Sequence, residues 1–298
     1  MLNSHLGEFA ALSTAFCWTI TALAFESASL KVGSIAVNII RLALALIYLS
    51  IFSYFSRGLF FPTDATTTAW IWLSVSGLIG FVIGDLFLFE SYTLIGSRIS
   101  MLIMTTVPPI TALISWLMMG ETLTIFNILG MMLTISGISL VILNREKGGK
   151  SVKVSHSLKG ILFAFIGAVG QSVGLVFSKI GMGDYNAFAA TQIRVIVGIL
   201  GFTILITMWK KWKLVGAGVQ NVNAMKRIGL GSVFGPFLGV SLSLYAVQHT
   251  HAGIASTIMS IVPVLIIPPA VFIMKQKVTL KEIIGAVLSV IGVSLFFI

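Results

Sequence analysis

Residues 77–143 read GLIGFVIGDLFLFESYTLIGSRISMLIMTTVPPITALISWLMMGETLTIFNILGMMLTISGISLVIL. Three apolar stretches are punctuated only by Gly96-Ser97-Arg98 and by a Gly-Glu pair at Gly120-Glu121. Each stretch is close to the roughly 20 residues that an α-helix needs to cross a bilayer core. They are too long and too continuous for barrel strands, which are shorter and alternate.

Working outward, the same texture covers the whole chain. Ten apolar runs are predicted, at 7–27, 35–55, 69–93, 98–118, 125–143, 159–179, 187–208, 228–247, 253–273 and 282–298. Hydrophobic residues make up 57% of the 298 residues and charged residues only 9%, against about 25% charged in a soluble domain. A chain this apolar takes lipid as its solvent. The first run has no basic n-region in Met1 to His5, so it is expected to stay as a helix rather than be cleaved as a signal peptide. Links between runs are mostly short, which makes consecutive helices antiparallel neighbours.

The quoted stretch has a counterpart at 235–298, GPFLGVSLSLYAVQHTHAGIASTIMSIVPVLIIPPAVFIMKQKVTLKEIIGAVLSVIGVSLFFI. Gly80, Gly84, Pro108, Thr124, Gly130, Gly137 and Ser139 recur 155 residues later as Gly235, Gly239, Pro263, Thr279, Gly285, Gly292 and Ser294. Gly7, Ala11, Ala15 and Arg41 recur after 153 residues as Gly160, Ala164, Ala168 and Arg194. The chain therefore divides into two similar halves, 1–148 and 149–298, joined by a polar stretch around Gly148-Gly149-Lys150. Five crossings per half is an odd number, so the second half enters the membrane inverted. The expected fold class is all-α integral membrane, ten transmembrane helices as two inverted five-helix repeats, an architecture that recurs in secondary transporters.

The net charge of +10 sits between the apolar runs. Fifteen of the 19 Lys and Arg fall in the links after runs one, three, five, seven and nine; only Arg57 and Lys179 fall on the other side. The positive-inside rule makes the crowded side cytoplasmic and puts both termini outside. No aromatic-plus-basic pattern suggests nucleic acid. The lone Cys17, in the first run, excludes an internal disulfide and reads as a small buried residue.

The ordered set of features in both halves resembles the drug/metabolite transporter superfamily, in particular its EamA-type ten-helix exporters. It comprises a Gly-rich helix, a small-residue turn into the next helix, a central proline, Gly-Glu, and a closing Gly-rich helix. Arg41 and Arg194 match an arginine that the family often carries early in the second helix of each half. The resemblance implies export of small molecules through a cavity between the halves, lined by the first helix of each. Departures are Trp18-Thr19 and Gln171-Ser172 in place of a Trp-Gly pair, and Gln276 where the first half has Glu121. Many members are described with termini inside, opposite to the charge count.

Charges inside lipid-spanning runs are costly and usually face a partner or a wet cavity. Asp85 is the leading candidate, either as a cation- or proton-binding carboxylate or as the structural partner of an arginine such as Arg41. Arg41 and Arg194 are candidates for substrate anchors or gates, against snorkelling or a structural ion pair. Glu90, about 140° around the helix from Asp85, is expected near the interface with Arg98, and Glu26 as a solvated helix-ending charge. Trp18 and Gln171 are candidates for stacking on or hydrogen bonding to substrate; Thr19, Thr21, Ser172 and Gln192 read more readily as packing groups. Tyr245, aligned with Glu90, completes the set of cavity or coupling candidates, and the nearby His249 and His251 read as loop histidines rather than metal ligands. Pro108 and Pro263 mark matched bends and hinge candidates. The paired glycines of the fifth and tenth runs are expected to pack helices or to form a dimer contact.

The reading that follows is a secondary transporter of small metabolites, amino acids or amphiphilic compounds, in the cell membrane. It is expected to export by alternating access, with no cofactor, with proton coupling open, and as a monomer or homodimer. No nucleotide-binding loop occurs, so ATP does not drive it directly. An integral membrane enzyme acting on a lipid or isoprenoid is the alternative, but no cluster of catalytic groups supports it. A channel would show a ring of like groups, and none is evident.

Overall fold

The computed structural model describes residues 6–119, 124–145, 152–154, 156–249, 252–272, 275 and 278–295. Glu121, Gln276 and His251 lie outside them. Eleven helices follow in order: α1 (Leu6–Val32), α2 (Ser34–Arg57), α3 (67–95), α4 (97–119), α5 (Ile125–Ile142), α6 (Leu158–Met182), α7 (Ala187–Met208), α8 (Trp212–Gln220), α9 (Val222–His249), α10 (252–272) and α11 (Leu280–Ser294). All but α8 correspond to the ten predicted runs. In the linker between the halves, strands β1 (Leu143–Arg145) and β2 (Val152–Val154) pair antiparallel, a short ladder not expected from the sequence.

Local chemistry sets the boundaries. Thr66, Ser157, Asn186 and Asn221 cap α3, α6, α7 and α9 by accepting from backbone N–H groups of the first turn. The stretch Thr67–Met118 is apolar for 52 residues, long enough for two crossings. It is divided at Gly96, whose φ of 78° and ψ of 156° suit a residue without Cβ. Across that break Ser91 donates to Ser100 (2.8 Å) and Tyr92 to the Met101 sulfur (3.5 Å).

The basic link between the predicted runs 187–208 and 228–247 is not irregular. Trp212–Gln220 forms the short α8, and α9 begins at Val222. Trp212, Leu214 and Val219 stay exposed while Val215 packs on the core and Gly218 lies against Ala36 and Ile40. Exposed apolar residues with Lys213 on one short helix, directly after Lys210-Lys211, fit the bilayer interface.

The surface is inverted relative to a water-soluble protein. Phe55 is 82% and Phe272 81% exposed, whereas Glu26, Arg41, Asp85 and Arg194 are 5% or less. Exposed apolar rings around a polar interior are what a lipid solvent selects.

The two halves meet as the repeat requires. Helices α5 and α11 cross antiparallel with Gly137 against Gly285 and Gly130 against Gly292. At the centre of the crossing the Thr134 hydroxyl reaches the Ser289 carbonyl and the Ser289 hydroxyl reaches the Thr134 carbonyl, both at 3.4 Å. These two residues are 155 apart, so equivalent positions meet, as they must on a pseudo-two-fold axis. The paired glycine faces are thus spent within the chain, on packing. Helices α3 and α6 form a second close antiparallel pair, with Gly84 against Gly170 and Gly80 against Gly174. Helices α1 and α9 repeat it, with Thr21 and Phe25 over Gly235 and Gly231.

Candidate functional site

Between the halves lies a cavity of about 130 Å³, room for several waters or a small organic molecule. Both halves line it. Its charged residues are Arg41, Asp85 and Arg194, and its larger apolar groups include Trp18, Phe81, Phe89, Met101, Met104 and Met259.

Asp85 is delivered there by a π-helical turn. Residues Leu78–Gly84 wind with i→i+5 spacing, and the Asp85 N–H bonds the Gly80 carbonyl. The same turn recurs at Val233–Gly239, where the Val240 N–H bonds Gly235. Single π turns inside α-helices are frequent at functional sites. Here the two fall at equivalent positions of α3 and α9, 155 residues apart.

The Asp85 carboxylate has a donor on each of its two oxygens. Arg41 Nη2 donates to Oδ2 at 2.5 Å and Gln171 Nε2 to Oδ1 at 2.6 Å. Gln171 also reaches the Gly80 carbonyl at 3.3 Å. Asn38 accepts from Arg41 Nε at 3.1 Å and donates to the Asp85 carbonyl at 3.3 Å. Arg41 therefore forms the structural ion pair that the sequence left open, and it is buried rather than snorkelling. Its guanidinium lies 4.6 Å from the Phe89 ring centre and 5.6 Å from those of Phe25 and Phe81. Arg194 is equally buried, with its guanidinium 4.7 Å from the Phe81 ring and its Nε without a hydrogen-bond partner among the described residues. Both arginines lie early in their helices, and the two guanidiniums converge on one ring, 5.6 Å (Arg41) and 4.7 Å (Arg194) from the centre of Phe81.

Trp18 and Gln171, equivalent across the halves, both line the cavity. Trp18 lies against Gly239 and Gln171 against Gly84, so each half's first helix packs on a π-turn glycine of the other half. Pro108 and Pro263 line it as well. Before Pro108 the chain tightens to a 3₁₀ turn, Met104–Thr106, whose Met104 carbonyl is taken by the Val107 N–H. That is the carbonyl orphaned by the proline's missing donor. Pro263 opens a new short helix, Val262–Leu265. The regular α-helix is thus interrupted just before both prolines.

Other expectations resolve differently. Tyr245 lies off the cavity, stacked on His249 at 4.0 Å and packed with a separate apolar cluster; the repeat aligns it with Glu90, which the cavity does not include either. Glu90 accepts from Ser34 at 2.6 Å, and Arg98 pairs with Glu282 at 3.0 Å. Glu26 is buried, not solvated, and accepts from Ser97 at 2.5 Å beside the Gly96 turn. Gln192 bonds Ser50 and the Phe60 carbonyl, away from the cavity. Phe81, Phe89, Tyr92 and the cavity methionines were not singled out beforehand. One signal was available for Phe81, which stands one helical turn before Asp85, between Gly80 and Gly84.

The fold and cavity together define a multi-pass membrane protein with a largely apolar chamber, carrying three charged residues, between inverted halves. The model of the EamA-like transporter family matches residues 5–143 and again 158–298, and the chain belongs to that family. It is similar to a Clostridium kluyveri protein described as an uncharacterized transporter, at 25% identity over 178 residues, 60% of this chain and 56% of that one. The match thus spans little more than half of that relative. A solved crystal structure shares the fold with a TM-score of 0.66 at 19% identity, covering 97% of this chain and 95% of the other.

Proposed function

We propose that the protein is a secondary transporter that exports small metabolites, amino acids or amphiphilic compounds, by alternating access. The observation that carries this reading is the cavity around Asp85, to which both inverted halves contribute walls and charge. Rocking one half against the other would expose such a chamber to each side in turn. The helix interruptions at Pro108 and Pro263 are the hinges in this scheme. One copy of the chain supplies all of the walls, so a monomer suffices.

Proton coupling is assigned to Asp85. Protonating it releases Arg41, and losing the proton restores the pair, so the charge state of the chamber tracks the side to which it opens. We place the protein in the cell membrane with both termini outside, on the charge asymmetry of the links.

The test is uptake of a labelled metabolite pool by proteoliposomes, with and without an imposed pH gradient. Protein-dependent uptake that responds to the gradient is expected. Uptake indifferent to the gradient would remove the proton from the scheme, and no uptake of amino acids, nucleobases or amphiphiles would remove transport of these classes.

A further inference from the structure

We infer that Arg194 anchors a carboxylate of the transported molecule, which makes the substrate an amino acid or organic acid with an apolar body rather than an organic cation. The inference rests on the transporter reading and narrows it.

The argument begins with charge. The cavity is lined by two arginines and one carboxylate. Both oxygens of Asp85 are taken, by Arg41 and by Gln171. Whether Asp85 carries a proton or not, the chamber keeps a net positive charge. The repeat shows where the missing negative charge belongs. Each half brings an arginine, but the position equivalent to Asp85 is Val240, which lines the same cavity. The second half therefore has the cation of the pair without its anion.

Arg194 is 3% exposed, and its Nε lacks a hydrogen-bond partner among the described residues. A buried guanidinium without a full set of acceptors is costly, and the Phe81 ring compensates for only part of that. The surrounding backbone is cut to hold it there. A Cβ at Gly80 would stand 3.0 Å from Arg194 Nη2, and one at Gly77 would stand 2.7 Å from the Arg194 carbonyl. Two glycines on α3 thus let α7 approach and leave space for the guanidinium. Its planar fork matches a carboxylate with two parallel N–H···O bonds. The other walls, Trp18, Phe89, Met101, Met104 and Met259, suit an aromatic or branched apolar body. A cation placed among these groups would face the unneutralised arginine.

Three labelled probes with one skeleton separate the charges: 3-phenylpropanoate, phenylalanine and phenylethylamine. Uptake into proteoliposomes is compared for wild type, Arg194→Gln and Arg194→Lys. Wild type is expected to take up the two carboxylates at least about tenfold faster than the amine. Arg194→Gln is expected to lose that preference and Arg194→Lys to recover part of it. A wild type that carries the amine as well as the acids, or an Arg194→Gln variant that keeps the preference, overturns the inference while leaving transport intact. Failure of all three probes while other compounds of the metabolite pool are carried also overturns it. A second readout needs no substrate. Removing a buried charge whose Nε has no hydrogen-bond partner among the described residues should leave the ligand-free thermal midpoint unchanged or raise it, whereas Arg41→Gln, which removes the guanidinium paired with Asp85, should lower it. A fall for Arg194→Gln as large as that for Arg41→Gln would make Arg194 a structural counter-ion and sink the proposal.

Discussion

At the scale of single residues, the centre of this protein is one carboxylate with a donor on each of its two oxygens. Asp85 meets Arg41 on one oxygen and Gln171 on the other. Removing one member of a buried ion pair strands the other, at a cost of about 3–5 kcal/mol where this has been measured in protein interiors. Asp85→Ala is therefore expected to lower stability by that order, read as the thermal midpoint in detergent. Asp85→Asn keeps the shape and one acceptor oxygen, so it should lose less stability yet abolish the pH-driven component of uptake. An Asn variant that still responds to a pH gradient would show that the carboxylate is only structural. The sequence made Asp85 and Arg41 legible because charges inside an apolar run are rare enough to stand out. It did not reveal that Glu26 is buried, because a carboxylate near a helix end reads as solvated unless the partner from another helix, here Ser97, is known.

At the scale of elements, the identity and order of every helix but α8 were readable from run length, but the departures from ideal helix were not. The two π turns leave no hydropathy signal, and yet the first leads directly into Asp85 and the second into its counterpart Val240. Pro108 did announce a break in the regular helix, and its orphaned Met104 carbonyl is satisfied by a 3₁₀ turn. Replacing Pro108 or Pro263 by Ala restores a donor and favours a straight helix. Slower turnover with near-native substrate affinity is expected, and unchanged turnover in both variants would remove the hinge role. The α5–α11 crossing carries a different demand. A Cβ on Gly137 would lie 2.5 Å from Ser289 Oγ and 2.6 Å from the Gly285 carbonyl. The carbonyl cannot step aside, so Gly137→Ala should cost about 1–3 kcal/mol through overpacking. The same change at Gly216, where nothing lies within 4 Å, should be silent in the same melting assay. The glycine spacing predicted a packing face, but the choice of partner needed the inverted repeat to bring equivalent helices together.

At the scale of the whole molecule, the halves are also fastened at the face where the α2–α3 and α6–α7 links meet. Arg57 pairs with Asp64, and the Tyr185 hydroxyl donates to Asp64 Oδ1 at 2.9 Å. The Arg57 guanidinium lies 5.2 Å from the Tyr185 ring centre, and Gln248 donates to the carbonyls of Gly183 and Tyr185 at 2.8 and 3.1 Å. Burial and the bond to Asp64 push the Tyr185 hydroxyl up to about 12, so it remains a donor at physiological pH. Partial burial raises the Asp64 carboxyl, but the Tyr185 and Arg57 hydrogen bonds outweigh it and hold the group below its ordinary range. A depressed carboxyl contributes stability above its unfolded value, roughly pH 4, and loses it as pH falls through the folded value. Because the Asp64 side chain is 43% exposed, the clasp is worth at most about 1 kcal/mol. Asp64→Asn should accordingly lower the thermal midpoint slightly at neutral pH, and the two proteins should converge as acid protonates Asp64 in the wild type. A gap that persists in acid would mean that the substitution acts by something other than charge. Since this clasp joins one half to the other and must part for that face to open, Asp64→Asn should also raise the rate at which the face opens to a membrane-impermeant thiol reagent, read at a cysteine placed at Ser243 on the cavity wall. The same labelling without change would show that the halves separate elsewhere.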